Sequence, residues 1–481
     1  MEKVRLNLKL FTVCHSLCTV FCLILILLPA GCKAETKEPS VAGTFYPSDE
    51  KELKEMVERF LSRAEKVSVN GKLLALISPH AGYIFSGQVA AYGYKNIEGR
   101  DIKKVIIIGP SHHTAFRGAS VYTKGNFRTP LGTVRINERL AEDILNEAAD
   151  VRFNPEAYEE EHSIEVQLPF LQTVLKDFTI VPIIVGSPTR QTFEHLTLRL
   201  SEILDENTLL VVSTDLSHYH DYSTAKEMDG KAIASVERLS VMDTERLLRT
   251  GEAELCGGYP VLIATEAVRR AGANMGVLLK YANSGDVTND RNRVVGYASI
   301  GLYKSLLTEK EKKELLGLAR NTITEYVTNG KVSEIEMKNP KLKADGAVFV
   351  TIKRNGLLRG CIGHIQPIMP LYQSVIKNAV AACSSDLRFT PMKKDELNDM
   401  DVEVSVLSPL EPLKDVKNVQ VGKHGLVIVK GMQSGLLLPQ VAQELGWDRG
   451  TFLEQICAKA GLPRGAWKDA DLYTFTAEII K

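Results

Sequence analysis

Residues Val105 to His113, VIIIGPSHH, constrain this chain more than any other stretch. Four β-branched residues in a row, halted by Gly109 and Pro110, predict a strand buried on both faces that ends abruptly. Two imidazoles follow its end. The same arrangement recurs twice: Leu73 to Ile77 (LLALI) runs into SPHAGY with His80, and Leu209 to Val212 (LLVV) runs into STDLSHYH with Asp215, His218 and His220. The whole chain has ten histidines, so three apolar strands each delivering one at its exit is a convergence that packing does not require. In open α/β sheets ligands gather outside the carboxyl ends of the strands, which makes these side chains candidates for chemistry.

A chain of 481 residues exceeds what one hydrophobic core serves and implies two or three domains. The strands above belong to a first domain over 39–305, in which strand and helix patterns alternate as in a layered sheet. A helix is expected after Asp49, with Leu53, Met56, Val57, Phe60 and Leu61 on one side. A loop with Arg128, Thr129 and Pro130 follows the second strand, then a helical segment NERLAEDILNEA. EEEHSIEVQLPFLQTVL places Glu161, His162, Glu165 and Gln167 at a helix start, where the macrodipole favours acids. The strand FTIVPIIVG and the stretch ELCGGYPVLIATEAV with Cys256 complete the pattern, before a late strand near VVGYASIGLY. His195 and His15 read as ordinary core or cap residues, and His220 as a solvent-facing neighbour of His218.

Lys plus Arg and Asp plus Glu number 59 each, so no global field draws the chain to nucleic acid. Cys14, Cys18, Cys22 and Cys32 lie in the N-terminal stretch, and Cys256, Cys361, Cys383 and Cys457 are scattered without CxxC spacing. That is neither a disulfide framework nor a zinc ribbon. At the N-terminus, Lys3, Arg5 and Lys9 precede an apolar run from Leu10 to Leu28 that ends in PAGC, the layout of a secretory signal. LLPAGC resembles a bacterial lipobox with Cys32 as the acylated residue, Pro29 standing where Leu is usual. The alternative is an uncleaved anchor, because the run approaches the ~20 residues that span a bilayer. Either reading makes residues 1–32 a signal segment and 33–38 a tether, and expects a membrane-anchored protein facing the periplasm or cell exterior, or the cytoplasm if the anchor points inward.

A second domain is expected over 306–481. TEKEKKELLGLARNTITEYV is amphipathic, with Leu315, Leu318, Ala319, Ile323 and Val327 on one side. DGAVFVTIKRNGLLRGCIGHIQP alternates around Asn355-Gly356, a hairpin signature. A strand DVEVSVLSPL, a turn-linked pair GKHGLVIVKGMQSGLLLP and a long helix QVAQELGWDRGTFLEQICAKAGL follow.

SPHAGYIFSG, GPSHH, EEHSIEVQLPF, STDLSHYHD and CGGYPV, in this order, resemble the Memo family, system protein B of the AmmeMemoRadiSam set. LRGCIG, DLRFTP, VEVSVLSPL and GLLLPQVAQELGW resemble the AMMECR family, system protein A of the same set. The first resemblance implies a three-layer α/β/α domain related to class III extradiol dioxygenases. It implies a metal pocket on His80, His112 and Cys256, with Asp215 and His218 beside them and His113 and His162 in or near it. The second implies a smaller α/β domain on antiparallel sheet, with Arg359, Gly360, Cys361 and Gly363 as its suspected site. Together they imply a radical-SAM enzyme as partner. Two imidazoles and a thiolate suit iron, copper or zinc rather than magnesium or calcium. Three ligands leave positions open for substrate or dioxygen, which favours iron or copper and oxidative chemistry. The cysteine departs from the two-histidine, one-carboxylate set of non-haem iron oxygenases, which weighs against ring cleavage. A non-catalytic metal-binding or scaffolding module and a zinc-dependent hydrolase are the other readings. Whether the chain is an enzyme stays open at this level. In the second domain, a thiol between glycines beside Arg359 reads either as a reactive nucleophile or as a small residue in a tight hairpin flank.

Overall fold

The computed structural model describes residues 35–67, 69 and 71–481. The signal segment and lipobox cysteine lie outside them. Among the described residues no helix is long and apolar enough to cross a membrane.

Asp49 caps helix α1 (Glu50–Arg63) by accepting the Glu52 N–H, and Leu53, Val57 and Leu61 turn inward at helical spacing. Strand β1 (Lys72–Ser78) leads through SPHAG into α2 (Tyr83–Lys95), then β2 (Lys104–Pro110). Strands β3 (Thr179–Val185) and β4 (Thr208–Ser213), helix α3 (Gly258–Arg270) and β5 (Val294–Lys304) complete the frame. The sheet order is β3-β2-β4-β1-β5, parallel except for β5. The apolar runs behave as expected of central strands: Leu74 to Ile77, Val105 to Ile108 and Leu209 to Val212 are each at most 2% exposed. Helices α1 and α2 pack together with Leu168–Val174. Arg190–Ile203 packs on α3, which lies against β1, β2 and β4. The result is a three-layer unit with one continuous core.

Two expectations fail locally. Residues 126–136 form a short hairpin, Asn126–Thr129 with Gly132–Ile136, where a loop is expected; the strands are too short for a period-2 signal, and Gly132 turns between them at φ 118°. The helix expected from Gln440 onward is two helices, Pro439–Glu444 and Arg449–Lys459. Gly446 adopts φ 65° and Asp448 starts the second by accepting the Thr451 N–H.

The second unit opens on α4 (Glu309–Asn329), whose Thr308 and Glu311 form a capping box. Buried Lys341 ties the linker to this helix, donating to Leu306 O at 2.7 Å and Glu311 Oε2 at 2.8 Å. Strands β6 (Val348–Arg354) and β7 (Leu357–His364) form the expected hairpin, with φ 52° at Asn355 and 76° at Gly356. Helix α5 (Leu371–Ser384) and β8 (Met400–Leu407) follow. The first antiparallel sheet runs β7-β6-β8 and then Ala477–Ile480. A second is built from Glu411–Pro412, Asp471–Phe475, Gly425–Lys430 and Gln433–Leu437.

The glycines of LRGCIG have a packing cause. A Cβ on Gly360 would lie 2.1 Å from the Ala382 carbonyl of α5, and one on Gly363 would lie 2.3 Å from the Phe349 ring. Gly360→Ala is therefore expected to destabilise the second unit by about 1–3 kcal/mol, as overpacking does. Chemical denaturation checks this, and an unchanged midpoint would contradict the close approach.

Candidate metal centre

Three strand ends deliver the groups. His80 sits two residues beyond β1, His112 two beyond β2, and Asp215 two beyond β4, and β2, β4 and β1 are neighbours in the sheet. Cys256 comes from the other side, on the turn before α3. Gly257 lets it seat there, because a Cβ would lie 2.7 Å from Ser213 O.

His80 Nε2 and Cys256 Sγ lie 3.1 Å apart, and the His80 and His112 rings meet edge-on at 5.0 Å. One ligand atom from each of His80, His112 and Cys256 falls within 4.8 Å of the others, close enough to hold one ion. The donor set fits: two imidazoles and a sulfur suit a borderline or soft first-row metal. Burial and the neighbouring His112 push His80 down to about 3, so its imidazole is an uncharged lone-pair donor at neutral pH. Burial pushes the Cys256 thiol up to about 12, so in this setting a bound cation is what would make it a thiolate. The Asp215 N–H donates to Sγ at 3.1 Å and the N-terminus of α3 begins two residues on, both favouring negative charge on sulfur.

Asp215 is 4% exposed and its Oδ1 accepts the His80 N–H at 2.8 Å. Burial pushes its carboxyl up to about 6. His162 stacks on His112 at 4.5 Å, meets His80 edge-on at 5.2 Å and packs against Phe45 at 4.6 Å. Burial and His80 push it down to about 3. His218 is half-buried, near enough for its charge to bear on both His80 and Asp215. His113 lies further out, its side chain 46% exposed and its Nδ1 3.8 Å from Glu160. His220 is half-buried rather than solvent-facing, with Nε2 3.0 Å from Glu254 Oε1, and Glu254 Oε2 accepts the His218 N–H at 3.1 Å.

The acids before Leu168 have specific partners: Glu165 stands in the first turn of the 3-10 segment, and both carboxylates bind groups elsewhere in the chain. Glu161 lies in irregular chain ahead of the turn at Ser163 and the 3-10 segment Glu165–Gln167, and accepts from both the His112 N–H (2.6 Å) and His112 Nδ1 (2.9 Å). Its burial would raise it, but the hydrogen bonds it accepts from the His112 ring and from the His112 and Ser163 N–H groups win and hold it down at about 2. Glu165 binds the entering chain, accepting from Ser40 N, Val41 N and Tyr46 Oη. Ser213, also unmarked in the sequence, lies 2.9 Å from His80 Nδ1. The acidic run and the STDLSH stretch name these residues, but only the tertiary contacts give them a task.

Arg359, Gly360, Cys361 and Gly363 lie on β7, in the other unit. Arg359 is held by both Glu396 oxygens at 2.8 and 3.0 Å. Cys361 Sγ accepts from Thr351 Oγ1 at 3.3 Å, and burial raises the thiol. The second unit attaches at the opposite edge of the large sheet: the chain leaves β5 at Lys304, paired with Lys72 at the start of β1, and Asp345 N–H donates to Arg238 O. The seven residues of β1, roughly 20 Å of strand, separate that edge from His80.

Residues 37–301 match the family model described as Memo-like protein, and residues 316–480 match AMMECR1. A MEMO1 family protein of Methanopyrus kandleri is 38% identical over 279 residues, covering 55% of this chain and 98% of the relative. One from Aquifex aeolicus is 37% identical over 265 residues, covering 54% and 97%. A crystal structure of an uncharacterized protein from Pyrococcus horikoshii shares 42% identity, covering 36% of this chain and 92% of that one, with a TM-score of 0.35.

A buried Asp215 with a raised pKa has a stability consequence of definite sign. The unfolded carboxyl loses its proton near 3.8 and the folded one near 6, so the native state binds more protons across that window and stability falls as pH rises through it. In metal-free protein Asp215→Asn is therefore expected to raise Tm at pH 7, with the gain fading toward pH 4. Calorimetry across that range checks it, and a lower Tm at pH 7 would contradict the burial argument.

Proposed function

The chain belongs to the Memo-like protein family through residues 37–301 and carries an AMMECR1 domain at 316–480, and from that premise we propose that its first unit holds a redox-capable ion, iron or copper, on His80, His112 and Cys256. The observation that carries this is the meeting of two imidazoles and a thiol at one strand-end rim. Such an ion, when bound, supplies electron transfer to or from a substrate or dioxygen. The chain's own residues do the rest. Asp215 fixes the His80 backbone and shapes the floor. His162, uncharged at neutral pH and stacked on His112, offers a lone pair at the rim that can accept a hydrogen bond from a substrate. His218 borders the same opening.

The AMMECR1 domain sits on the far edge, which suits a separate task such as engaging a partner; the radical-SAM enzyme implied by the family set is the partner we propose. The N-terminal pattern supports tethering through Cys32 to a membrane, facing the periplasm or exterior. An inward-facing anchor would instead place the protein in the reducing compartment where iron–sulfur partners work.

Elemental analysis of natively expressed protein is expected to find about one iron or copper per chain, lost in a His80→Ala, His112→Ala double variant. Equal metal content in the two would remove the site. Zinc alone, with activity on an ester or amide, would favour a hydrolase, and bound iron or copper with no oxygen uptake on any substrate a metal-binding module. Cys32→Ala is expected to abolish acyl labelling and release the protein from membranes; an unchanged label would reject the lipobox.

A further inference from the structure

Beneath the metal centre, polar groups that do not belong to the His80, His112 and Cys256 set decide which nitrogen each imidazole offers. The direction of every hydrogen bond follows from the carbonyls, which only accept. Ser213 Oγ lies 2.6 Å from Ser163 O, so its single hydrogen is spent there. Gln167 Nε2 lies 3.0 Å from Pro79 O and 2.9 Å from Ser213 Oγ, so the amide donates to both, while its Oε1 accepts from Tyr94 Oη at 2.6 Å. Ser213 Oγ has nothing left to give, and the His80 Nδ1 at 2.9 Å must be the donor. The proton sits on Nδ1. His80 Nε2, 3.1 Å from Cys256 Sγ, is bare.

The same logic holds at His112. Glu161 accepts the His112 N–H, the Ser163 N–H at 2.9 Å and His112 Nδ1 at 2.9 Å. Both oxygens are already occupied as acceptors of backbone N–H groups, so the third contact is donation from the ring, and a neutral His112 then carries its one proton on Nδ1 and leaves Nε2 free.

We propose that Ser213 and Glu161 are positioning residues that lock His80 and His112 in the Nδ1–H form, so that both Nε2 lone pairs converge beside the Cys256 sulfur. The assignment rests on the reading of this rim as a metal site. One lock is anchored by Tyr94 and Gln167, on α2 and the 3-10 turn before Leu168, and the other by the turn through Ser163. Both locks meet at Ser163, which accepts from Ser213 through its carbonyl and donates to Glu161 through its N–H. The competing role for Glu161 is that of a ligand, since it also lies with His112 and His162 in a group within 4.8 Å. Against that, its two oxygens already accept three N–H bonds.

The first test needs neither metal nor mutation. Long-range 15N correlation spectra of the metal-free protein are expected to show both rings in the Nδ1–H form, and Nε2–H signals from either would overturn the proposal. Cobalt(II) titration then reads the consequence. One ion per chain is expected, bound 10–100-fold more weakly with a displaced d–d spectrum in Ser213→Ala and Glu161→Gln, the loss typical when partners of ligating groups are removed, and restored in Ser213→Thr. Wild-type affinity in both variants would overturn it, as would two ions per wild-type chain with one lost in Glu161→Gln. Wild-type protein that takes no cobalt while showing the deduced ring forms would instead sink the metal reading alone.

Discussion

Everything at the centre depends on strands that have no solvent-facing side. β1, β2 and β4 are hydrogen-bonded to neighbours along both edges and covered by helices on both faces, so through their middle only apolar side chains fit. Polar function is confined to their exits. Because the three strands are neighbours and parallel, their exits lie side by side, and residues 80, 112 and 215 become a single rim despite lying far apart in the chain. Helix α3 completes it by bringing Cys256 back over the sheet.

Such a rim carries buried polar groups that destabilise the fold unless each is satisfied. Asp215 is the extreme case, buried to 4% and only partly compensated by backbone donors, hence its raised pKa. Glu161 is the opposite, equally buried but fully engaged and held ionised. Beneath them Tyr94, Gln167, Ser213 and Ser163 form a chain of bonds in which each hydrogen has a destination. A network closed in this way specifies a single arrangement of the imidazoles, where a partly satisfied one would let them turn.

The two units are joined at the end of the large sheet remote from this rim, through the Asp345 contact with Arg238, while buried Lys341 holds the linker at Leu306 against α4. His80 thus lies at the other end of β1 from that junction. The RGCIG run is largely accounted for by geometry: Gly360 and Gly363 admit α5 and Phe349, and Arg359 is paired with Glu396. Cys361 is left half-buried beside Thr351, a position the packing neither requires nor explains further.

The pattern of residues by itself determined the elements and much of the rim. Unbroken β-branched runs marked buried strands, Asn355-Gly356 marked a hairpin, and histidines just past strand ends marked where chemistry would lie, because each signal depends on neighbours a few residues apart. It left Glu161 as an acid near a helix start, passed over Ser213, and joined two helices across Gly446. Those outcomes belonged to the tertiary structure: a carboxylate or hydroxyl reads identically in sequence whether it faces water, a helix end or an imidazole. Only the packing of segments 49 to 133 residues apart, which brings Ser163 and Ser213 under His80 and Glu161 against His112, decides which partner it meets.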